Sequence, residues 1–135
     1  MNEHTVDILV VGSGAGAMTA ALRAAHAGAE VLIVEKGEKY GGTSATSGGG
    51  LWIPCNHLMP EVGISDSREQ ALSYLRALTG DSVTEATLEA FVDKGPETLK
   101  WLEDNSHVQY MAMEHYADYY QAVSYTHLTL PTIYS

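Results

Sequence analysis

The sequence predicts an α/β fold that opens with a Rossmann-like βαβ unit and continues into helices. Three observations predict it: an apolar run that ends in a glycine-rich turn, an alanine-rich helical segment behind that turn, and a second apolar run that ends in an acidic residue. Strand, glycine turn, helix, strand and acid in this order are typical of a dinucleotide-binding unit. Such a unit normally needs later strands to complete its sheet, so we expect the fold to be incomplete.

The first strand is predicted over Val6–Val11, and a glycine turn follows it. Gly12 allows the tight turn, Gly14 lets the backbone approach a pyrophosphate, and the small Ala17 lets the helix lie close to the sheet. We expect the whole turn to contact the cofactor, namely Gly12, Ser13, Gly14, Ala15, Gly16 and Ala17.

The helix is predicted to start near Ala15, with its positive dipole end at the phosphates, and to stop at Gly28. The second strand is Val31–Val34, and Glu35 closes it. A carboxylate there accepts hydrogen bonds from both ribose hydroxyls and repels a 2′-phosphate, which disfavours NADP. The alternative is a plain glycine-rich turn in an unrelated doubly wound protein. Glu35 and the glycines after it count against that alternative.

The chain after residue 65 is predicted to be helical. Asp66 with Glu69 resembles a capping box, and apolar residues then repeat at helical spacing until Gly80. Thr84 caps a second helix. Gly95-Pro96 is predicted to break that helix and to begin a third.

The end of the chain departs from these patterns. Val108–Met113 is predicted to be extended, but Ser124–Ile133 continues no earlier pattern and resembles a translated sequencing adapter. We therefore expect residues 1–123 to be the first part of a nucleotide-binding domain and residues 124–135 to be a non-native tail. An authentic extended C-terminal segment is the alternative.

Composition excludes several classes of function. The formal charge is −10, from 17 acidic and 7 basic residues, which argues against nucleic acid or an anionic membrane as partner. The only cysteine, Cys55, rules out an internal disulfide and is predicted to be a packed residue. With no signal peptide in the sequence, we expect a cytoplasmic protein. The histidines show no metal-ligand spacing, so no metal is expected.

The segment after Glu35 carries a resemblance to a known family. Val34-Glu35-Lys36, Gly42-Thr43-Ser44 and Ser47-Gly48-Gly49-Gly50-Leu51-Trp52-Ile53-Pro54 resemble the 3-ketosteroid Δ1-dehydrogenases, which belong to the fumarate reductase-type FAD-dependent oxidoreductases. The resemblance continues through Tyr116-Ala117-Asp118-Tyr119-Tyr120. It implies a two-domain flavoprotein whose substrate domain lies outside this chain.

The resemblance also implies roles for the cofactor segment. Thr43 and Ser44 would offer hydroxyls and backbone N–H groups to the pyrophosphate and ribityl chain of FAD. Lys36 and Gly42, like Glu35, are expected to bind the cofactor as well. Gly48, Gly49 and Gly50 would pass beneath the isoalloxazine, where a side chain would collide with the ring; a flexible loop is the alternative. Ser47, directly before them, is also expected to bind the cofactor. No histidine lies between Thr43 and Ser47, so FAD is expected to be non-covalent.

The implied reaction is the FAD-dependent dehydrogenation of a hydrophobic 3-ketosteroid, which removes a proton from C2 and a hydride from C1. Tyr120, and after it Tyr119, is expected to be catalytic; the alternative is that both pack against the substrate cleft. The electron acceptor is unknown. Other possible functions are a 3-oxo-5α-steroid Δ4-dehydrogenase, a fumarate- or urocanate-type reductase, and a non-catalytic nucleotide-binding fragment.

Overall fold

The computed structural model describes residues 3–113 and the backbone of residues 132–133. It divides the chain into two compact units, Met1–Gly49 and Gly50–Ser135. Tyr119 and Tyr120, which we expect to be catalytic, lie outside the described residues.

The first unit contains the predicted βαβ unit. Strand β1 (Ile8–Val11) leads into helix α1 (Ala15–His26), and β2 (Val31–Val34) returns parallel to β1 with Ile8 opposite Val31 and Val11 opposite Val34. The mixed α/β class is therefore confirmed. A 3₁₀ helix, Gly42–Thr46, follows β2.

Two boundaries of the βαβ unit are explained by local hydrogen bonds. β1 starts at Ile8 rather than at Val6, since Asp7 is fastened to Glu30: its N–H donates to the Glu30 carbonyl at 3.0 Å and its carboxylate accepts the Glu30 N–H at 2.8 Å. Helix α1 stops where predicted, because Gly28 adopts φ +92°, a left-handed conformation that glycine tolerates without strain.

The second unit is organised by two helices, α2 (Arg68–Thr79) and α3 (Glu85–Asn105). Strand β3 (Tyr110–Met111) pairs antiparallel with β4 (Thr132–Ile133), so only the middle of the predicted extended segment 108–113 is a strand. The helices share a core of buried apolar side chains. That core consists of Ala71, Leu72, Leu88 and Val92, and Tyr74 and Met59 form a second cluster against which Trp52 packs.

The predicted start of α2 was wrong by one residue. Ser67 is the N-cap: its hydroxyl accepts the Gln70 N–H at 3.3 Å, and the Gln70 side chain accepts the Ser67 N–H at 2.9 Å. This capping box replaces the one expected from Asp66 and Glu69. Asp66 is instead used elsewhere, since its carboxylate accepts the N–H of Cys55.

The predicted break at Gly95-Pro96 was also wrong, because α3 continues through both residues to Asn105. Proline cannot donate a hydrogen bond to the carbonyl four residues earlier, which costs about 3 kcal/mol in a helix interior. The proline ring also clashes with the Cβ of the residue before it. Gly95 avoids this clash because glycine has no Cβ. Burial of Val92 before the pair and Leu99 after it, at 3% and 2% exposure, holds the helix together across it.

The outer faces of α2 and α3 carry ion pairs between arginine and acidic side chains. Arg68 binds Asp93 at 2.7 Å, and Arg76 binds Glu85; these side chains are about half exposed. Solvent screens such exposed pairs, so they add little to the stability of the fold. Among residues 3–113, no helix has the length and apolarity needed to cross a bilayer.

Candidate functional site

The glycine turn lies where β1 ends and α1 begins. Gly12 has φ +96°, and its N–H donates to the carbonyl of Val34 at 2.7 Å, which ties the turn to the end of β2. Gly14 is the N-cap of α1 and, without a side chain, leaves the first turn of the helix open. The positive end of the helix dipole is therefore available to a negatively charged group.

The loop after β2 packs against this turn. A Cβ on Gly42 would lie 3.4 Å from the Cα of Gly14, and Gly42 has φ +54°, so a side chain there would be strained and would press the loop off the turn. Next to it, the Ser44 hydroxyl accepts the N–H of Ala15 at 3.1 Å. Ser44 therefore places a polar hydroxyl beside the first N–H of the helix.

Glu35 stands at the carboxyl end of β2 and is held from two sides. The Ser13 hydroxyl donates to one carboxylate oxygen at 2.5 Å, and the Gly37 N–H donates to the other at 2.9 Å. These bonds, the first above all, lower the pKa of the Glu35 carboxyl below its usual value. Glu35 is therefore a fixed and ionised acceptor on the surface of the unit.

An open depression of about 420 Å³ lies at the carboxyl ends of the two strands. The glycine turn and Glu35 meet in this depression, at the edge where open α/β sheets bind their ligands. Its lining residues are Val11, Gly12, Val34, Glu35 and Lys36.

These residues fit FAD. A Cβ on Gly12 would meet no atom within 4 Å, so the space over the turn is free for a pyrophosphate. The exposed carboxylate of Glu35 has lone pairs left for ribose hydroxyls after its two hydrogen bonds. Gly16 and Ala17 lie in the first turn of α1, behind the helix end that would face the phosphates.

We expect the stabilising effect of the Ser13–Glu35 hydrogen bond to depend on pH. The pKa of Glu35 is lower in the folded protein than its ordinary 4.5, so this contribution is fully present above about pH 4.5 and is lost as pH falls through the folded pKa. The difference in Tm between wild type and Ser13→Ala, in the FAD-free full-length protein, should shrink between about pH 6 and pH 3. A difference that stays constant over this range would contradict the prediction.

The segment that the resemblance assigns to the isoalloxazine has no regular secondary structure, and most of it is exposed. Gly48 could accept a Cβ with no contact within 4 Å, and Gly49 has φ +76°. The Ser47 hydroxyl accepts the N–H of Gly49 at 3.1 Å and donates to the carbonyl of Ser44 at 2.9 Å. The hydroxyl of Ser47 thus shapes the loop, and the flavin contacts of Thr43, Ser47 and the three glycines stay predictions.

The sequence did not predict the hydrogen bonds that hold the part of the chain that follows this segment. Cys55 has φ +56°, and both carboxylate oxygens of Asp66 accept its N–H, at 2.9 and 3.0 Å. The buried amide of Asn56 donates to the Ile53 carbonyl at 2.7 Å and accepts the Leu58 N–H at 3.0 Å. No periodicity announces such contacts, because they join positions of a loop without a repeating pattern.

Cys55 itself is not a reactive thiol. Burial and the neighbouring Asp66 carboxylate raise its pKa to about 12, so the nucleophilic thiolate is scarcely populated near neutrality. This agrees with the predicted packing role. Within residues 3–113, no three His, Cys, Asp or Glu side chains form a possible metal site, and His57 pairs with Glu103.

Comparison with known proteins finds one matching family profile and several similar dehydrogenases. A family profile described as "FAD binding domain" matches residues 7–127. The chain is 42% identical over 120 residues to the 3-oxosteroid 1-dehydrogenase of Mycolicibacterium smegmatis, covering 89% of this chain and 21% of that protein. It is 44% identical over 117 residues to the 4-oxocyclohexanecarboxylate 2-dehydrogenase of Sinomonas cyclohexanicum, covering 87% and 20%.

A solved structure is also similar. It is the 3-ketosteroid delta1-dehydrogenase from Sterolibacterium denitrificans in complex with 1,4-androstadiene-3,17-dione, with a TM-score of 0.87 and 45% identity. The match covers 96% of this chain and 24% of that one. The chain thus spans about a fifth of the length of the curated relatives it matches.

Proposed function

Because the chain belongs to the family of FAD-binding domains, we propose that it is the cofactor-binding part of an FAD-dependent dehydrogenase that desaturates ring A of 3-ketosteroids between C1 and C2. The observation that carries the proposal is the 42–45% identity to such dehydrogenases over most of the chain, in a solved structure as well as in a curated relative. The surface depression at the ends of β1 and β2 offers the matching cofactor site.

The names of two relatives share a chemical feature that supports this choice. One is a 3-oxo compound 1-dehydrogenase and the other a 4-oxo compound 2-dehydrogenase, so in both the named position lies two ring atoms from the carbonyl carbon. A ketone acidifies the proton on the carbon between these positions. The reaction class we propose is therefore desaturation beside a ring ketone, with loss of that proton to a base and of hydride from the next carbon.

In this proposal the residues of the first unit bind and orient the cofactor. FAD, when bound, supplies the hydride acceptor. The free N–H groups at the start of α1 and the Ser44 hydroxyl would hold the pyrophosphate, and Glu35 the adenosine ribose. No histidine lies between Thr43 and Ser47, so these contacts would be non-covalent.

The cofactor assignment is tested on a full-length protein that carries this chain. It should purify yellow, and acid precipitation should release FAD into the supernatant, where chromatography identifies it. Flavin that stays with the precipitate would contradict a non-covalent site. Binding of NAD without any flavin would contradict the whole proposal.

Substrate tests separate the possible reactions. With an artificial electron acceptor, 4-androstene-3,17-dione should lose two hydrogens to give the 1,4-diene, which mass spectrometry and ultraviolet absorbance detect. The relative from Sinomonas favours a second candidate, desaturation of a small ring ketone such as 4-oxocyclohexanecarboxylate. Turnover of that acid without turnover of the steroid would replace the first proposal by the second, and Δ4 desaturation of a 5α-steroid or reduction of fumarate would overturn both.

A further inference from the structure

We propose that Ser13 is a positioning residue of the FAD site: its buried hydroxyl joins the two ends of the loop 35–41 and so fixes both the ribose-binding carboxylate and the start of the pyrophosphate-binding segment. This inference rests on the proposed cofactor and assigns a role that the glycine fingerprint leaves open, since that fingerprint does not specify the residue between its first two glycines.

The buried hydroxyl of Ser13 forms two hydrogen bonds. Ser13 is 3% exposed, its O–H donates to Glu35 at 2.5 Å, and its oxygen accepts the N–H of Gly41 at 2.8 Å. A serine hydroxyl can donate one hydrogen bond, and here Glu35 is the acceptor. The Ser13 side chain therefore acts through its neighbours rather than by donating a hydrogen bond to a cofactor.

The two partners of Ser13, Glu35 and Gly41, lie at the two ends of one loop. Glu35 directly follows β2, and Gly41 directly precedes Gly42, the residue that packs against the glycine turn. The loop between them is exposed, with Tyr40 at 81% exposure, so the loop has little packing of its own to fix its ends. One oxygen atom thus holds both ends of a loop whose flanks face different parts of a dinucleotide.

The backbone at Gly41 leaves no room for a side chain. It has φ +107°, and a Cβ there would lie 2.5 Å from the Cβ of Ala45. This backbone conformation is reserved for glycine, and the bond from its N–H to Ser13 fixes its orientation. Loss of the Ser13 hydroxyl would remove one of the two hydrogen bonds that hold the carboxylate and, at the same time, the bond that orients this peptide.

The test measures cofactor binding to the full-length protein, without steroid, by titration with FAD. Ser13→Ala should raise the Kd for FAD about 10- to 100-fold, as expected for two lost hydrogen bonds, one of them to a charged group. ADP, which contains the adenosine and pyrophosphate but no flavin, should lose affinity by a similar factor. Thr19→Ala is the matched control, because its hydroxyl donates only to the Ala15 carbonyl within α1.

A double-mutant cycle separates positioning from a general loss of stability. Because the bond to Gly41 is kept in Glu35→Ala, Ser13→Ala should still raise the Kd for FAD in that background, but by a clearly smaller factor than in the wild type. Equal factors in both backgrounds, or an unchanged Kd in Ser13→Ala alone, would overturn the inference. Failure of steroid turnover would affect only the proposed reaction, whereas a wild-type protein that binds no FAD would overturn both.

Discussion

Replacing Tyr120 by phenylalanine in the full-length enzyme should lower kcat by about 100-fold or more while FAD and steroid binding are retained. The segment Tyr116–Tyr120 resembles a family segment whose last tyrosine lies in the active site beside the main catalytic tyrosine. A free phenol has a pKa of about 10, so a tyrosine that acts as a base near neutrality needs its phenolate stabilised. A second tyrosine that donates a hydrogen bond does this, and loss of such acid–base assistance costs about 10²–10⁴ in rate.

Tyr119→Phe is the matched control for this experiment, because it removes the same hydroxyl from the neighbouring position. Near-normal turnover in Tyr120→Phe together with a large loss in Tyr119→Phe would transfer the role to Tyr119. Small effects of both substitutions would show that the pair packs against the substrate cleft, the alternative to a catalytic role. Steady-state kinetics at saturating FAD, with Kd values for steroid, separate these outcomes.

The chain of residues 1–135 expressed by itself should aggregate, bind FAD poorly and show no steroid oxidation. Parallel sheets are normally covered on both faces, yet the two strands of the first unit expose large apolar side chains. Val11 is 78% exposed and Leu9 56%, with Ile8 and Val34 at 40% and 39%. We expect these positions to be covered in a full-length protein. A monomeric chain that unfolds cooperatively and retains FAD would contradict this expectation.

Charge substitutions test the origin of the aggregation. Leu9→Lys should increase the soluble fraction of residues 1–135 and decrease the yield of the full-length protein, because the same side chain is exposed in one and covered in the other. Thr5→Lys adds the same charge at an exposed polar residue and should change neither. An equal gain in solubility from both variants would mean that net charge, rather than the apolar strand face, controls aggregation.

The parts of the fold that the sequence predicts correctly are those set by local rules. The glycine turn, the stop of α1 at Gly28 and the cap of α3 at Thr84 depend on a few adjacent residues, and each is confirmed. The break expected at Gly95-Pro96 depends on a competition between a local cost and the burial of Val92 and Leu99. Burial in the final fold cannot be read from the local pattern, so the predicted break was wrong.

The candidate site shows the same division. The sequence predicts Glu35 directly after β2 from the order of the elements, and this position is confirmed, whereas its role as ribose acceptor stays a prediction. The bonds from Ser13 to Glu35 and Gly41 were not predicted, since they join positions 22 and 28 residues apart that only the folded turn brings together. In the same way, the sequence predicts Asp66 as part of a helix cap, whereas its actual contact with the N–H of Cys55 depends on the path of a loop.

Gly95 has a consequence for how the sequence of this protein can vary. A Cβ at position 95 would lie 3.2 Å from Cγ2 of Ile53, closer than most such contacts. Residue 53 therefore limits the size of residue 95, although 42 positions separate them along the chain. A substitution that enlarges residue 95 should be accepted only with a smaller side chain at 53, so the two positions should change together among descendants of this sequence.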